Sequence, residues 1–490
     1  VTVTKIQFGT DGWRAQVGRG FDTESVSRVS HATACAFAEV AQAKGWQSLR
    51  IIIGYDTREG ADQFAGLAAQ IVADTMAACL PNQDVQVVLS DRYVPTPCVC
   101  WTIARDKSAI GGIQLTASHN PAGWLGFKVR MSDGGAAPVE FTQRIEELLD
   151  ASVPVASGAV SSVAAVDILS PYLDALCQFV DVDAIRAANL KLVVDPLYGA
   201  ARGYLADTFE RIGTTVIRIH DSADPKFGGL HPEPIPPWTD TAANAVRQNA
   251  AIAGFVMDGD ADRLGAIDDM GTFVSSHKIL ALLAIHLVEN HGRQGRIVKT
   301  LSTSLLVDRI AAFLGVPSTT TPIGFKWIYA EMLQGDVLIG GEESGGIGIP
   351  GHIFERDGLL MSLLLAEMMA TTGHSLRQLI QQLEKRVGVL YYDRYDLTLN
   401  QQDVQGVRRA LPTLNPVTIA GSAVMHYTHT DGAKFILSDS EWLLLRASGT
   451  EPMVRIYAES ATRERTAELL AAGKQLAKET TVKRAKGQKG

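Results

Sequence analysis

At 490 residues the chain is too long for one hydrophobic core, and about 150 residues per domain predicts three or four domains. A composition of 46% hydrophobic and 20% charged residues excludes a largely disordered chain. The net charge of −8 argues against nucleic acid as a partner.

Five cysteines, Cys35, Cys79, Cys98, Cys100 and Cys177, include no CxxC pair, and no histidine is placed to complete a zinc site with them. Reduced thiols and a cytoplasmic location are expected. No charged segment followed by an apolar one opens the sequence, so no secretory signal is expected. The most apolar helical stretch, residues 359–370, contains Glu367 and falls short of the roughly 20 residues a membrane span needs. A buried core helix is predicted there, with no membrane partner.

In chain order, Gly9-Thr-Asp-Gly-Trp-Arg14 is a loop whose Arg14 either meets an anion or stays solvated. Leu49-Arg-Ile-Ile-Ile-Gly-Tyr-Asp56 then reads as a strand, followed by a helical pattern and a second run, Val85-Gln-Val-Val-Leu89. A third run, Ala109-Ile-Gly-Gly-Ile-Gln-Leu115, ends in Thr116-Ala-Ser-His-Asn-Pro121. The same series recurs as Leu190-Lys-Leu-Val-Val-Asp195, Thr215-Val-Ile-Arg-Ile219 and Ala251-Ile-Ala-Gly-Phe-Val-Met257, ending in Asp258-Gly-Asp-Ala-Asp262. It recurs again as Gly295-Arg-Ile-Val-Lys299, Val316-Pro-Ser-Thr-Thr320 and Asp336-Val-Leu-Ile-Gly340, ending in Gly341-Glu-Glu-Ser-Gly-Gly346. Strand and helix in alternation predict three related α/β domains with mixed, mostly parallel sheets. From Tyr391 onward, runs such as Trp442-Leu-Leu-Leu-Arg446 and Val454-Arg-Ile-Tyr-Ala458 and a final helix predict a smaller α+β domain. Soft boundaries near 152–163, 268–271 and 387–390 give domains at 1–155, 156–268, 269–388 and 389–490.

Open α/β sheets keep their chemistry at the carboxyl ends of strands, where Ser118, the three aspartates and Glu342 all fall. Ser118 has no Gly-x-Ser-x-Gly elbow, and His119, its immediate neighbour, is poorly placed as a base, which leaves a phosphorylated serine or a plain turn. Asp258, Asp260 and Asp262 begin like a calcium hand, but Arg263 stands where that loop needs glycine and Asp269 where it needs glutamate. Hard oxygen ligands suit Mg²⁺ instead, against the alternative of an acidic solvated turn. Arg446-Ala-Ser-Gly-Thr-Glu-Pro452, with Arg455 beyond, combines guanidinium groups, hydroxyls and a glycine in a nest suited to a phosphate monoester, or forms a surface turn. Glu342 and Ser344, between glycines, suit sugar hydroxyls or a turn. Gly346-Ile-Gly-Ile-Pro-Gly351 matches a dinucleotide fingerprint in form, but Pro350 falls where its helix should run, and there is no Walker A sequence.

In this order the motifs resemble the alpha-D-phosphohexomutase superfamily along the whole chain. The resemblance implies a four-domain monomer or small homo-oligomer around a central cleft, acting as an intramolecular phosphotransferase on sugar phosphates. It implies that Ser118 carries a phosphoryl group and that Mg²⁺ lies between it and Asp258, Asp260 and Asp262. Arg14 and Arg263 would neutralise charge, with Lys128 as general acid/base and His119 in support. Gly324 and Lys326, in Gly324-Phe-Lys-Trp327, would form a substrate loop, and Glu342 and Ser344 would hold sugar hydroxyls. Arg446, Ser448, Gly449, Thr450 and Arg455 would hold the phosphate that is not reacting, and a hexose 1,6-bisphosphate would be the intermediate and activator. Within the family, Glu343 and Gly346 resemble the glucose or mannose phosphate mutases more than the glucosamine type; glucose is the expected substrate, with mannose second and glucosamine the alternative. A phosphate-ester hydrolase and a non-catalytic sugar-phosphate sensor are the competing expectations.

Overall fold

The computed structural model describes residues 5–150, 163–448 and 452–487. The chain divides into two compact units, one of residues up to Val298 with Gly324–Ile380, and a second of Lys299–Ile323 with the residues from Gln381 on.

In the first unit, a seven-stranded sheet runs in the order Gly20–Phe21, Trp13–Val17, Trp124–Met131, Ala109–Leu115, Ser48–Tyr55, Asp84–Ser90, Val163–Val166. The last four strands are parallel, while Trp124–Met131 runs antiparallel to both of its neighbours. Strand Ala109–Leu115 is buried along its whole length. That burial requires its glycines: a Cβ on Gly111 would meet the Phe37 ring at 2.5 Å, and one on Gly112 would meet the Ile52 carbonyl at 2.3 Å. Covered on both faces, such a strand reads as a continuous apolar run without alternation. A five-stranded sheet follows in the order Phe273–Val274, Leu264–Asp268, Ala253–Met257, Lys191–Asp195, Thr215–Arg218, its last three strands parallel.

One design recurs three times. A buried strand ends, a short polar loop follows, and the chain returns as an antiparallel strand: Ala109–Leu115 to Trp124–Met131, Ala253–Met257 to Leu264–Asp268, and Val337–Gly341 to Ile347–Gly348. The outgoing strands are legible in the sequence as apolar runs, and the returning ones are not. Residues 359–370 lie within helix Gly358–Thr372, buried through its first twelve residues and capped by Asp357, whose carboxylate accepts from Leu360 N. No single helix is long and apolar enough to cross a membrane among the described residues.

The second unit carries an antiparallel sheet in the order Tyr391–Thr398, Met453–Ser460, Trp442–Ala447, Ala433–Ile436, His426–Thr428. Side chains alternate across it. Leu443 and Leu445 join a core with Val407, Phe435, Ile456 and Leu469, while Trp442 and Leu444 face the other way with Tyr457 and Leu301.

Candidate active site

Ser118 is buried with φ 51, a left-handed conformation that a residue with a Cβ seldom adopts. Several bonds hold it there. Its N–H donates to Thr116 Oγ1 at 2.9 Å, and Thr116 in turn donates to Asp56 Oδ2 at 2.6 Å. Arg58 donates to the carbonyls of Ser118 and Asn120, both at 2.6 Å, and of Pro121 at 2.8 Å and Trp124 at 3.0 Å. Arg58 is itself paired with Asp56 at 3.1 Å. One buried guanidinium therefore fixes the whole loop.

Ser118 Oγ donates to Asp258 Oδ2 at 2.9 Å, across 140 positions of sequence. The aspartate loop packs directly on the serine loop, because a Cβ on Gly259 would lie 2.3 Å from the Ser118 carbonyl oxygen. Asp258, Asp260 and Asp262 each offer a carboxylate oxygen within 4.8 Å of the others. Asp258 Oδ1 accepts from Arg263 N at 3.1 Å, and Asp260 Oδ2 accepts from Thr96 Oγ1 at 2.5 Å. By contrast, Oδ1 of Asp260 and of Asp262 are buried and have no hydrogen-bond partner among the described residues. Buried carboxylate oxygens without a donor are costly, and a hard divalent cation removes that cost, so these residues fit Mg²⁺.

Register delivers the lysine. Lys128 stands opposite Gln114 on the neighbouring strand, and Arg130, two residues on, shares its face. Lys128 Nζ lies 2.8 Å from Asp260, 2.9 Å from Asp11 and 3.4 Å from Asp262. Arg130 pairs with Asp11 and Glu355, both at 3.0 Å. Arg356 spans Asp11 and Asp262, both at 2.8 Å, and approaches Glu342 at 3.6 Å.

These charges set the protonation states. Burial drives the Asp258 carboxyl well above its ordinary range, helped by Asp262 and Asp260. Burial also acts to raise Asp260, but Lys128 overrides it and holds that carboxylate low. For Lys128, burial acts against the charged form, and Asp11, Asp260 and Asp262 outweigh it, so the ammonium is retained. Burial, then Arg263 and Arg14, depress His119 well below the usual imidazole range, leaving it neutral with Nδ1 3.4 Å from Ser118 Oγ. Glu342 is pushed up to about 7 by burial, against the pull of Arg356.

Of the other expected residues, Arg14 donates to Asn120 Oδ1 at 2.6 Å in the serine loop. Arg263 lies 3.8 Å from Asp262 and 3.9 Å from Glu233. Glu342 and Ser344 sit in the turn between Val337–Gly341 and Ile347–Gly348, which is tied to the aspartate loop by Leu264 N donating to Gly345 O at 3.1 Å. Gly324 has φ 123 and lies beside Thr10, and Lys326 stacks over Trp327. In the second unit, Arg446 and Arg455 are direct neighbours across two strands; Arg446 pairs with Asp431 at 3.0 Å, and Arg408 donates to the Ser448 carbonyl. Gly449 and Thr450 lie outside the described residues.

Asp11 and Asp56 stand in the runs named above with no role expected of either, and Arg58, Thr96, Arg130, Glu355 and Arg356 were not expected at the site. Asp56 and Arg58 end an apolar run just as Ser118 does. Glu355-Arg-Asp357 places three charges directly before an apolar helix. Both signals were present in the sequence.

The geometry joins a hydroxyl, three carboxylates, a charged lysine and several guanidinium groups, an arrangement suited to moving a phosphoryl group. Residues 5–154, 170–271 and 275–387 match alpha/beta/alpha domains I, II and III of the phosphoglucomutase/phosphomannomutase family, and 396–473 match its C-terminal domain. A phosphoglucomutase/phosphomannomutase of Thermococcus kodakarensis is 29% identical over 96% of this chain and 98% of its own. A phosphoglucosamine mutase of Nostoc punctiforme is 30% identical over 94% of this chain and 88% of its own. A solved structure from Thermus thermophilus, provisionally named a phosphomannomutase, superposes with a TM-score of 0.83 at 32% identity, over 97% of this chain and 100% of its own. The chain belongs to the alpha-D-phosphohexomutase superfamily and is an isomerase of the intramolecular phosphotransferase type.

Proposed function

We propose that the protein interconverts hexose 1-phosphate and hexose 6-phosphate, glucose first and mannose second, through a phosphoryl group carried on Ser118. The observation that most supports this is Ser118 Oγ at 2.9 Å from Asp258, beside two buried carboxylate oxygens without donors. Asp258, Asp260 and Asp262 would hold Mg²⁺ together with an ester oxygen on Ser118. When bound, the ion supplies charge neutralisation at the phosphoryl oxygens.

The protein's own residues do the rest. A sugar hydroxyl oxygen attacks phosphorus, the bond from phosphorus to Ser118 Oγ breaks, and the new ester is a hexose 1,6-bisphosphate. The hydroxyl proton is thereby transferred, in net terms, to Oγ. Lys128, held as an ammonium, would give a proton to the oxygen leaving phosphorus and regain one from the oxygen that attacks. Arg14 and Arg263 would balance the ester's charge of about −1.5 to −2, with neutral His119 beside Oγ in support. The bisphosphate reorients, and its other phosphate returns to Ser118 by the reverse steps.

Glu342 and Ser344 would hold sugar hydroxyls common to both orientations, with Gly324 and Lys326 as a second contact. Arg446, Ser448, Gly449, Thr450 and Arg455 would hold the non-reacting phosphate. The proposed domain limits remain 1–155, 156–268, 269–388 and 389–490.

A glucosamine phosphate substrate is the second reading, favoured by the name of the Nostoc punctiforme relative. Turnover of glucose, mannose and glucosamine 1-phosphates, compared side by side with Mg²⁺, tests the assignment. Glucose 1-phosphate is expected to be fastest. A tenfold preference for glucosamine 1-phosphate overturns the choice of sugar, and phosphate release matching isomerisation replaces the mutase with a hydrolase.

A further inference from the structure

Away from the aspartate loop, the first unit contains a second cluster of metal-type donors. His286 Nε2 and His291 Nε2 each lie 2.8 Å from the same oxygen, Glu367 Oε2. His286 is fully enclosed, Glu367 nearly so, and His291 has 18% of its side chain exposed. The other carboxylate oxygen, Oε1, accepts from the Asp181 N–H at 2.7 Å, which fixes the orientation of the group.

The backbone between the histidines is shaped for this meeting. Five positions along a regular α-helix turn the side chain by about 140°, onto nearly opposite faces. Here the segment His286–Asn290 winds as a π turn, with His291 N donating to His286 O at 3.1 Å. The wider turn places residues five apart on one face and brings both imidazoles to one carboxylate. Such single π turns concentrate at functional sites.

We propose that His286, His291 and Glu367 form a site for a borderline divalent ion of the Zn²⁺ class, separate from the oxygen-only site that fits Mg²⁺. Two imidazole nitrogens and one carboxylate oxygen are a common three-ligand set for zinc, with a fourth position left for water. With metal–ligand bonds near 2.0–2.1 Å, tetrahedral ligands stand about 3.3 Å apart, so the present 2.8 Å contacts need to open by only about half an ångström. His291, at the exposed edge, gives the ion a route in. Arg293, stacked over Phe179 at 4.4 Å, is a nearby positive charge that feels the Glu367 carboxylate, and the ion binds against its repulsion. Once bound, the ion would pin helix Gly358–Thr372 to the segment after helix Ser276–Ile285.

Co²⁺ serves as the probe, added to the full-length protein in excess Mg²⁺ so that oxygen-only sites are filled. One equivalent is expected to give visible d–d absorption of tetrahedral intensity, and Zn²⁺ to displace it and raise Tm. The absorption should persist in Asp260→Asn and vanish in His291→Ala and in Glu367→Gln, each shown to be folded by circular dichroism. No absorption in the wild-type protein, absorption retained in folded His291→Ala, or absorption lost in Asp260→Asn would each overturn the proposal.

Discussion

Substituting Gly259 by alanine tests whether the contact between the aspartate and serine loops matters to the chemistry. The added Cβ would sit 2.3 Å from the Ser118 carbonyl oxygen, where an ordinary contact needs about 3.4 Å, so one loop must retreat by about 1 Å. The serine loop cannot easily yield, because Arg58 grips the Ser118 and Asn120 carbonyls at 2.6 Å. The aspartate loop is therefore expected to move, opening the 2.9 Å contact between Ser118 and Asp258. A displacement of about 1 Å from the reacting geometry costs about 100-fold in kcat, and overpacking costs about 1–3 kcal/mol of stability. The assay is Gly259→Ala kcat with glucose 1-phosphate and saturating Mg²⁺, alongside urea unfolding to confirm a folded protein. A kcat within threefold of wild type would refute the claim that the two loops act as one reacting unit.

Ser118→Ala should abolish isomerisation with little change in Tm; retained turnover would exclude Ser118 as the phosphoryl carrier. Lys128→Met removes the cation shared by Asp11, Asp260 and Asp262, which should cost about 3–5 kcal/mol in chelator. Added Mg²⁺ should recover part of that loss, so the Tm gap between chelator and Mg²⁺ should be wider than in wild type, and an equal gap would contradict the shared-charge picture. Glu342 is raised from 4.5 to about 7 in the fold, so the native state binds more protons than the unfolded chain between those values. Stability should fall as pH rises through that window, by at most about 3 kcal/mol from this group. Glu342→Gln should flatten that part of the urea-midpoint profile, and an unchanged slope would locate the effect elsewhere.

The strands that lead into the site were legible because burial on both faces writes them as largely apolar runs, as in Ala109–Leu115, where Gln114 is the one polar residue, and Ala253–Met257. The polar residues that close those runs, Ser118 and Asp258, do meet. The returning strands were harder to read. Trp124–Met131 carries Lys128 and Arg130 on one buried face, and those charges break the apolar pattern that marks a strand. They are tolerated only because Asp11, Glu355 and the aspartate loop pair with them, and no local window of sequence contains those partners. Arg356 was missed for a similar reason: its partners Asp11 and Asp262 are 345 and 94 positions away. The His286, His291 and Glu367 cluster depends on a π turn, which shifts the helical period that sequence patterns assume.

One phosphoryl group is expected to reside on Ser118 and to pass to and from the sugar. Full-length protein treated with hexose 1,6-bisphosphate and Mg²⁺, then freed of ligand, should carry one phosphate by intact mass, located on the peptide containing Ser118. Addition of hexose 6-phosphate should remove it while an equal amount of hexose bisphosphate appears. Phosphate found only on another residue, or a Ser118 phosphate that hexose 6-phosphate leaves in place, would exclude Ser118 as the phosphoryl carrier.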